Sequence, residues 1–465
     1  MSVLAPELGT LACLEPMRIS GRIAALKGLS VMVESLPLPA GALVSIRGQG
    51  GGAGKEAGRV WGEVVGFDSR HTIVMLLGSS LGLRVGDEVV GEPMGRGGMA
   101  APVGARMLGR VVNGLGTPLD GLGPIRETEA RPLIPAPISA MERRRISEPL
   151  YSGVRAIDLM TTLGRGQRVG IFSGPGVGKS TLLGTIARSS SADVNVIALI
   201  GERGREVKDF LEHTLGPDGR AKSVVVVATS DESPLLRIRA ALLACTVAER
   251  FRDAGRNVLL MMDSVTRFAH AQRQVGLSIG EPPATKGYTP SVFAMLPALL
   301  ERAGAVERGG AGGSITGLYT VLVEGDDMTE PIADAARGVL DGHIILSRKL
   351  AQRAHFPAVD VLDSISRVAD DVCDKTHIAA RQQVMRLLAA YRDAEDLIQI
   401  GAYAAGSNPE VDVAIEFRPR VLDLLRQGKG ESTPFAQARD EMVKIAMESG
   451  ESLRRRLAAK PAGRR

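Results

Sequence analysis

Aromatic side chains are scarce in this 465-residue chain: one Trp, five Tyr and nine Phe, 3% of the total. A protein that grips single-stranded nucleic acid on stacking platforms needs more, so no nucleic-acid partner is expected. Cysteine is scarcer still. Cys13, Cys245 and Cys373 are odd in number and far apart, which leaves no disulfide framework and no Cys-x-x-Cys metal pair, and fits a reducing compartment. The six histidines show no ligand spacing either. Apolar runs such as Ser223-Val-Val-Val-Val-Ala-Thr229 fall far short of the ~20 residues of a membrane-spanning helix. The first twenty residues carry one basic side chain, Arg18, after a short apolar stretch, so no secretory leader is expected. Charge of one sign is also lacking. Fifty-seven basic residues against 52 acidic ones leave +5, much of it in Arg454 to Arg465, which reads as a solvated terminus.

The remaining composition is that of a globular chain, 44% hydrophobic and 23% charged. At about 150 residues per domain, its length suggests roughly three. Three textures are visible. Up to about residue 95, short β-branched runs broken by glycine (Ser20 to Ala25, Leu29 to Glu34, Ala42 to Ile46, Val60 to Gly66, Thr72 to Leu76) suggest a small antiparallel barrel. Gly48 to Gly54 holds five glycines and reads as a hairpin tip. A Pro- and Gly-rich connector follows. From Gly153 to about Arg367, apolar strands at Arg168–Phe172, Asn195–Ile200, Val224–Val227, Asn257–Met262, Tyr319–Val323 and His343–Ser347 alternate with helical stretches, the pattern of a parallel sheet with helices on both faces. After Ser366 the chain turns helical and charged, with Arg381 to Tyr391 as the clearest amphipathic run.

The chemistry belongs at the ends of the core strands. Ser173-Gly-Pro-Gly-Val-Gly-Lys-Ser-Thr181 follows a predicted strand and opens a predicted helix from Thr181 to Ala187, which is the setting of a phosphate-binding loop. Gly174, Gly176 and Gly178, with Pro175 and Val177 between them, let backbone N–H groups turn toward phosphate oxygens at a helix N-terminus. Lys179 would reach the β- and γ-phosphates and the Ser180 hydroxyl would ligate Mg²⁺. Ser173 stands where the motif wants glycine. Asp263, ending the apolar run Asn257 to Met262, is the candidate second metal residue. To orient the attacking water, Gly201-Glu-Arg-Gly-Arg-Glu-Val207 offers both Glu202 and Glu206 at the carboxyl edge of a strand, with Arg203 and Arg205 beside them. Spacing leaves that pair open.

Taken together, Gly164-Arg-Gly-Gln-Arg168, the phosphate loop, Gly201 to Glu206 and Asp263-Ser-Val-Thr-Arg267 resemble the catalytic core of F- and V-type rotary ATPase subunits and type III secretion ATPases. Gly280 to Gly304, Glu206-Val-Lys-Asp-Phe210 and Glu324-Gly-Asp-Asp327 narrow the likeness to the flagellar protein-export ATPase family, with the injectisome ATPases next. The family often has proline where Thr289 stands and another residue at Met295. The resemblance covers nearly the whole chain. It implies an α/β fold, a RecA-like P-loop core with an N-terminal β-barrel and a C-terminal helical domain. The corresponding segments are residues 1–17 for partner binding, 18–95 for the barrel, 96–150 as connector, 151–367 for the ATPase core and 368–465 for the helical domain. It also selects Glu202 as the catalytic glutamate and makes Arg367 an arginine finger inserted by a neighbouring subunit. The implied ligands are ATP and Mg²⁺. The implied partners are five further copies in a homohexamer, a stator-like protein at residues 1–17, a coiled-coil stalk touching Gly280 to Ser291, and an export gate with substrate–chaperone complexes at the inner membrane. Tyr403 is a candidate for the adenine pocket. An F-type subunit would carry an acidic C-terminal stretch where Lys429-Gly-Glu-Ser-Thr433 stands, and an RNA translocase would carry more aromatics before residue 95 than Trp61 and Phe67.

Overall fold

The computed structural model describes residues 18–47, 59–92, 100–308, 311–323, 325 and 327–459. The Met1–Met17 segment, the Gly48–Gly54 tip and the last six residues, which close the basic terminus, lie outside these. Six short strands, β1 (Ser20–Lys27), β2 (Ser30–Glu34), β3 (Leu43–Arg47), β4 (Arg59–Phe67), β5 (Thr72–Leu76) and β6 (Glu88–Gly91), close into a barrel in the order β1-β2-β5-β4-β3-β6. Its interior is filled by β-branched side chains, among them Val31, Val33, Val44, Ile46, Val64 and Val74. On its outer face, Glu63 of β4 reaches across to Arg239 of the core at 2.6 Å. Burial pushes the Glu63 carboxyl up from its ordinary value, and Arg239 opposes that shift.

The connector holds more structure than its Pro and Gly content suggests. Strand β7 (Ala100–Val103) pairs with β9 (Glu129–Pro132), while β8 (Val111–Asn113) lies parallel to β14 (Ser223–Thr229) and becomes an edge of the core sheet. A two-residue pair, β10 (Pro149–Leu150) and β11 (Leu163–Gly164), leads into that core. Its main strands are β12 (Arg168–Ser173), β13 (Val194–Glu202), β15 (Asn257–Asp263), β17 (Ala311–Leu322) and β18 (Gly342–Leu346), in the order β18-β12-β17-β15-β13-β14-β8. All of these neighbours run parallel. Two antiparallel additions depart from the all-parallel expectation: β16 (Gly304–Arg308) hairpins onto β17, and β19 (Val359–Ser366) runs back along β18.

Strands covered on both faces need apolar residues at every position. In β13, Val196, Ala198 and Ile200 join one cluster with the helix Pro234–Asp253, while Ile197 and Leu199 join the opposite one with the helix Lys179–Ser189. In β15 the same division separates Val258, Leu260 and Met262 from Leu259 and Met261. Three helices follow the sheet: Lys375–Gln399, capped by Asp374, Pro409–Leu425, capped by Asn408, and Phe435–Ala459. They pack on one another and against the short helix Arg155–Met160 through Val384, Leu387, Phe417, Val421 and Met442. The buried His377 ring meets the carbonyl of Leu159 at 2.8 Å across that contact.

Candidate active site

The carboxyl ends of β12, β13 and β15 meet at the phosphate loop. Strand β12 ends at Ser173, whose hydroxyl is buried and has no hydrogen-bond partner among the described residues. Gly174 is buried, Pro175 and Gly176 are exposed, and Val177 is 2% exposed, pinning the loop to the apolar layer below. Gly178 takes the left-handed conformation, φ 93°, which glycine adopts at little cost, and turns the chain into the helix Lys179–Ser189. That helix starts two residues before its expected start. Ser180 is exposed and Thr181 half-buried on its first turn.

Three strand ends deliver the charged groups. Lys179 Nζ lies 2.5 Å from Asp263 Oδ1 and 3.8 Å from Glu202 Oε1. Thr320, on β17, donates to the same Asp263 oxygen at 2.8 Å, which fixes the carboxylate's orientation. Glu202 is the last residue of β13 and 8% exposed, with Arg267 Nη2 3.4 Å from its other oxygen. Gly201 makes this approach possible. At φ 70° it takes the left-handed conformation, and a Cβ there would stand 2.9 Å from Arg267 Cδ. Burial, followed by the nearby Asp263 charge, raises the Glu202 pKa to about 7, against the pull of Lys179 and Arg267. Glu206 belongs to the next helix, Gly204–Asp209; it is half-buried, reaches Arg203 at 3.3 Å and shares a hydrogen bond with Glu202. The geometry therefore favours Glu202 where spacing left a tie: it is the buried carboxylate facing Lys179.

Arg367 is not part of this cluster. It follows β19, whose last residue Ser366 pairs with Gly342, whereas Val359 at the other end pairs with Leu346 beside Ser173. Five strand steps of about 3.3 Å put it roughly 17 Å along the sheet from its own phosphate loop. It is exposed at the opposite edge.

A cavity of 470 Å³ opens beside the loop, lined by Gly178, Thr181, Phe356, Pro357, Gln427 and Lys429 among others. The Phe356 ring is 44% exposed and is the nearest group above Gly178. Tyr403, the adenine-pocket candidate, stands away from this cavity. Its hydroxyl bonds to Asn408 O and Asp412 Oδ1, both at 3.0 Å. Phe356 and Gln427 went unnoticed in the sequence because neither belongs to a local motif. The rigid loop Gly280 to Ser291 is held by Tyr288, which is 8% exposed, stacks near His270 and lies under Arg273, leaving Lys286 exposed at the tip. Glu324 and Asp326 lie outside the described residues.

The nucleotide-binding-domain profile of the ATP synthase alpha/beta family matches residues 153–366, and the profile of the T3SS EscN ATPase C-terminal domain matches residues 373–444. A flagellum-specific ATP synthase of Pseudomonas aeruginosa is 48% identical over 428 residues, 92% of this chain and 93% of that protein. The chain belongs to the ATP synthase alpha/beta family, in its type III export branch. It is an ATP-hydrolysing export enzyme of this branch. The type 3 secretion system ATPase of Xanthomonas euvesicatoria is 46% identical over 96% of this chain and 97% of its own length. Among solved structures, the assembled EscN of enteropathogenic E. coli in complex with its central stalk EscO superposes with a TM-score of 0.82, at 40% identity, covering 92% of this chain and all of that one. The expected α/β core, N-terminal barrel and C-terminal helices are those of that structure.

Proposed function

We propose that this chain drives a flagellar export apparatus as a homohexameric ring, its ATP binding and hydrolysis preparing substrate–chaperone complexes for unfolding and passage through a membrane gate. The observation that carries the reading is the split site: phosphate loop, Lys179, Glu202 and Asp263 at one edge of the sheet, Arg367 exposed at the other. A finger that far from its own loop can serve only a neighbour's nucleotide. The loop amides from Ser173 to Ser180 and the Lys179 ammonium would hold the phosphates. Asp263 would then exchange Lys179 for the metal. A hydroxyl and a carboxylate are the hard oxygen donors Mg²⁺ takes when nucleotide phosphates complete its shell, so Ser180 and Asp263 fit it. Mg²⁺, when bound, supplies charge neutralisation on the β- and γ-phosphates. Glu202, held near neutrality by burial, would orient the attacking water and accept its proton. Arg367 of the adjacent copy would stabilise charge developing on the transferred phosphoryl group. Phe356 would stack on the adenine.

EscN is assembled with its central stalk EscO in that solved structure, which supports a coiled-coil partner for the Lys286 loop here. Residues 1–17 are assigned to a stator-like regulator and the whole to the cytoplasmic face of the inner membrane. No helix among the described residues is long and apolar enough to cross it. Complementation tests the assignment. Expression in a strain lacking its flagellar export ATPase should restore motility, and Glu202→Gln should not. Restoration of injectisome secretion without motility would place the chain in the sister branch, which the Xanthomonas relative keeps open.

A further inference from the structure

The stretch Gly164 to Arg168 lies at the edge of the sheet remote from the phosphate loop, and no role in the chemistry above needs it. Its two last side chains are nevertheless specific. Gln167 is fully buried. Its Oε1 accepts from Gly164 N at 2.9 Å, and its Nε2 donates to Ser366 Oγ at 3.0 Å and to Asp341 O at 3.2 Å. The Ser366 hydroxyl donates in turn to Thr162 O at 2.8 Å. Arg168 grips the Asp341 carboxylate with both arms, Nε to Oδ2 at 3.0 Å and Nη2 to Oδ1 at 3.1 Å, and its backbone N–H adds a third contact to Oδ2 at 3.1 Å. The main-chain carbonyl of Asp341, the same oxygen that Gln167 Nε2 binds, accepts the backbone N–H of Arg367 at 2.9 Å. Two groups that hold the main chain at Arg367, the Asp341 carbonyl and the Ser366 side chain, are thus each bound by Gln167, and Asp341 is bound by Arg168 as well.

We infer that Gln167 and Arg168 are positioning residues for Arg367, setting the height and direction from which the finger enters the neighbouring subunit's site. The inference rests on the trans role proposed above. It adds that the G-R-G-Q-R stretch serves the next copy's chemistry although it begins β12, the strand that ends in this copy's own phosphate loop. Strand β12 then ties the occupancy of one site to the finger aimed at the next, through six residues of continuous strand. A fixed amide is suited to this. A 1 Å displacement of a group that acts only in the transition state costs up to ~10²-fold in rate while leaving substrate binding alone.

Subunit mixing tests it, because a finger defect and a phosphate-loop defect complement in opposite combinations. Gln167→Met keeps the side chain's length and removes its polar contacts. Alone, it should lower kcat by about 10- to 10²-fold with KM for ATP unchanged. Mixed one-to-one with Lys179→Ala, it should regain activity at up to about a quarter of the interfaces, those joining its intact loop to the other subunit's intact finger. Mixed with Arg367→Ala, it should regain nothing. The reverse pattern, rescue by Arg367→Ala and none by Lys179→Ala, would place Gln167 in its own subunit's site and overturn the inference. Failure of both mixtures with co-assembly confirmed overturns it equally, as does a raised KM with normal kcat. Ser366→Ala, which removes one of the two acceptors of the Gln167 amide together with the hydroxyl's bond to Thr162 O, carries the same test if Gln167→Met does not fold. The control mixture of Arg367→Ala with Lys179→Ala separates the two claims. If it fails to recover activity, the trans finger itself is wrong. If it recovers and the Gln167→Met mixture does not, only the positioning role falls.

Discussion

Replacing Glu202 by glutamine should have two effects of opposite sign. Its carboxyl is raised from 4.5 to about 7 chiefly by burial and secondly by Asp263. The folded protein therefore holds a proton that the unfolded chain releases near 4.5. The stability this contributes is complete below pH 4.5 and is lost as pH rises through 7. Above pH 7 the ionised group weakens the nucleotide-free fold, by at most about 3 kcal/mol at 1.36 kcal/mol per unit and nearer 1–2 kcal/mol at a solvent-facing mouth. Glutamine matches the carboxyl in shape and carries no charge. Its contacts to Lys179 and Arg267, at 3.8 and 3.4 Å, are too long to be strong hydrogen bonds. Glu202→Gln should then melt close to the parent at pH 5 and a few degrees above it at pH 8, at roughly 2–4 °C per kcal/mol. Turnover should meanwhile fall by ~10²-fold or more, the range for loss of a general base, with nucleotide binding retained. Thermal melts without nucleotide at the two pH values and a phosphate-release assay give both readings. A melting difference that does not grow with pH refutes the electrostatic account. Near-normal turnover would return the catalytic role to Glu206.

Other sites give independent outcomes. Phe356→Ala should weaken ATP binding by about tenfold or more, as loss of one base–aromatic stack does, and Tyr403→Ala should leave it unchanged; titration with a fluorescent nucleotide decides between them. Arg367→Ala should lose roughly 10³-fold in turnover while still binding ATP, and parent specific activity should rise with protein concentration, as steady-state assays across a dilution series will register. Arg239→Ala leaves Glu63 buried beside the barrel without its guanidinium, which should cost about 3–5 kcal/mol in a chemical melt. The paired change Arg239→Met with Glu63→Leu should recover most of it, and if it is no better than the single change, the pair is not the cause.

Local chemistry was legible in the sequence, and distant juxtaposition was not. The phosphate loop, the acid ending β15 and the barrel's alternating strands each announce themselves within a dozen residues, because turn, period and charge are all local there. The choice between Glu202 and Glu206 was not visible from spacing. The two stand four apart, and only the end of β13 buries one against Lys179 while the next helix leaves the other half-buried beside Arg203. The base cavity draws on Thr181, Phe356 and Gln427, which only the finished fold brings together. Tyr403, by contrast, is bonded through its hydroxyl to the first turn of the helix Pro409–Leu425 and does not line that cavity. Strand β8 escaped notice for another reason. Three residues, Val111–Asn113, are too few to show a period, and their strand character comes entirely from pairing with β14.

Closure of the barrel into β1-β2-β5-β4-β3-β6 has a consequence for how copies come together. Every strand there already has two main-chain neighbours, so no row of amides is left to be shared with an adjoining copy. Side chains alone can join one barrel to the next. Such a seam opens and reseals without unfolding anything, and it offers no route to strand exchange. In the ring proposed above, a seam between barrels would therefore be one that subunits can enter and leave intact, with dilution rather than denaturation as the means of taking it apart.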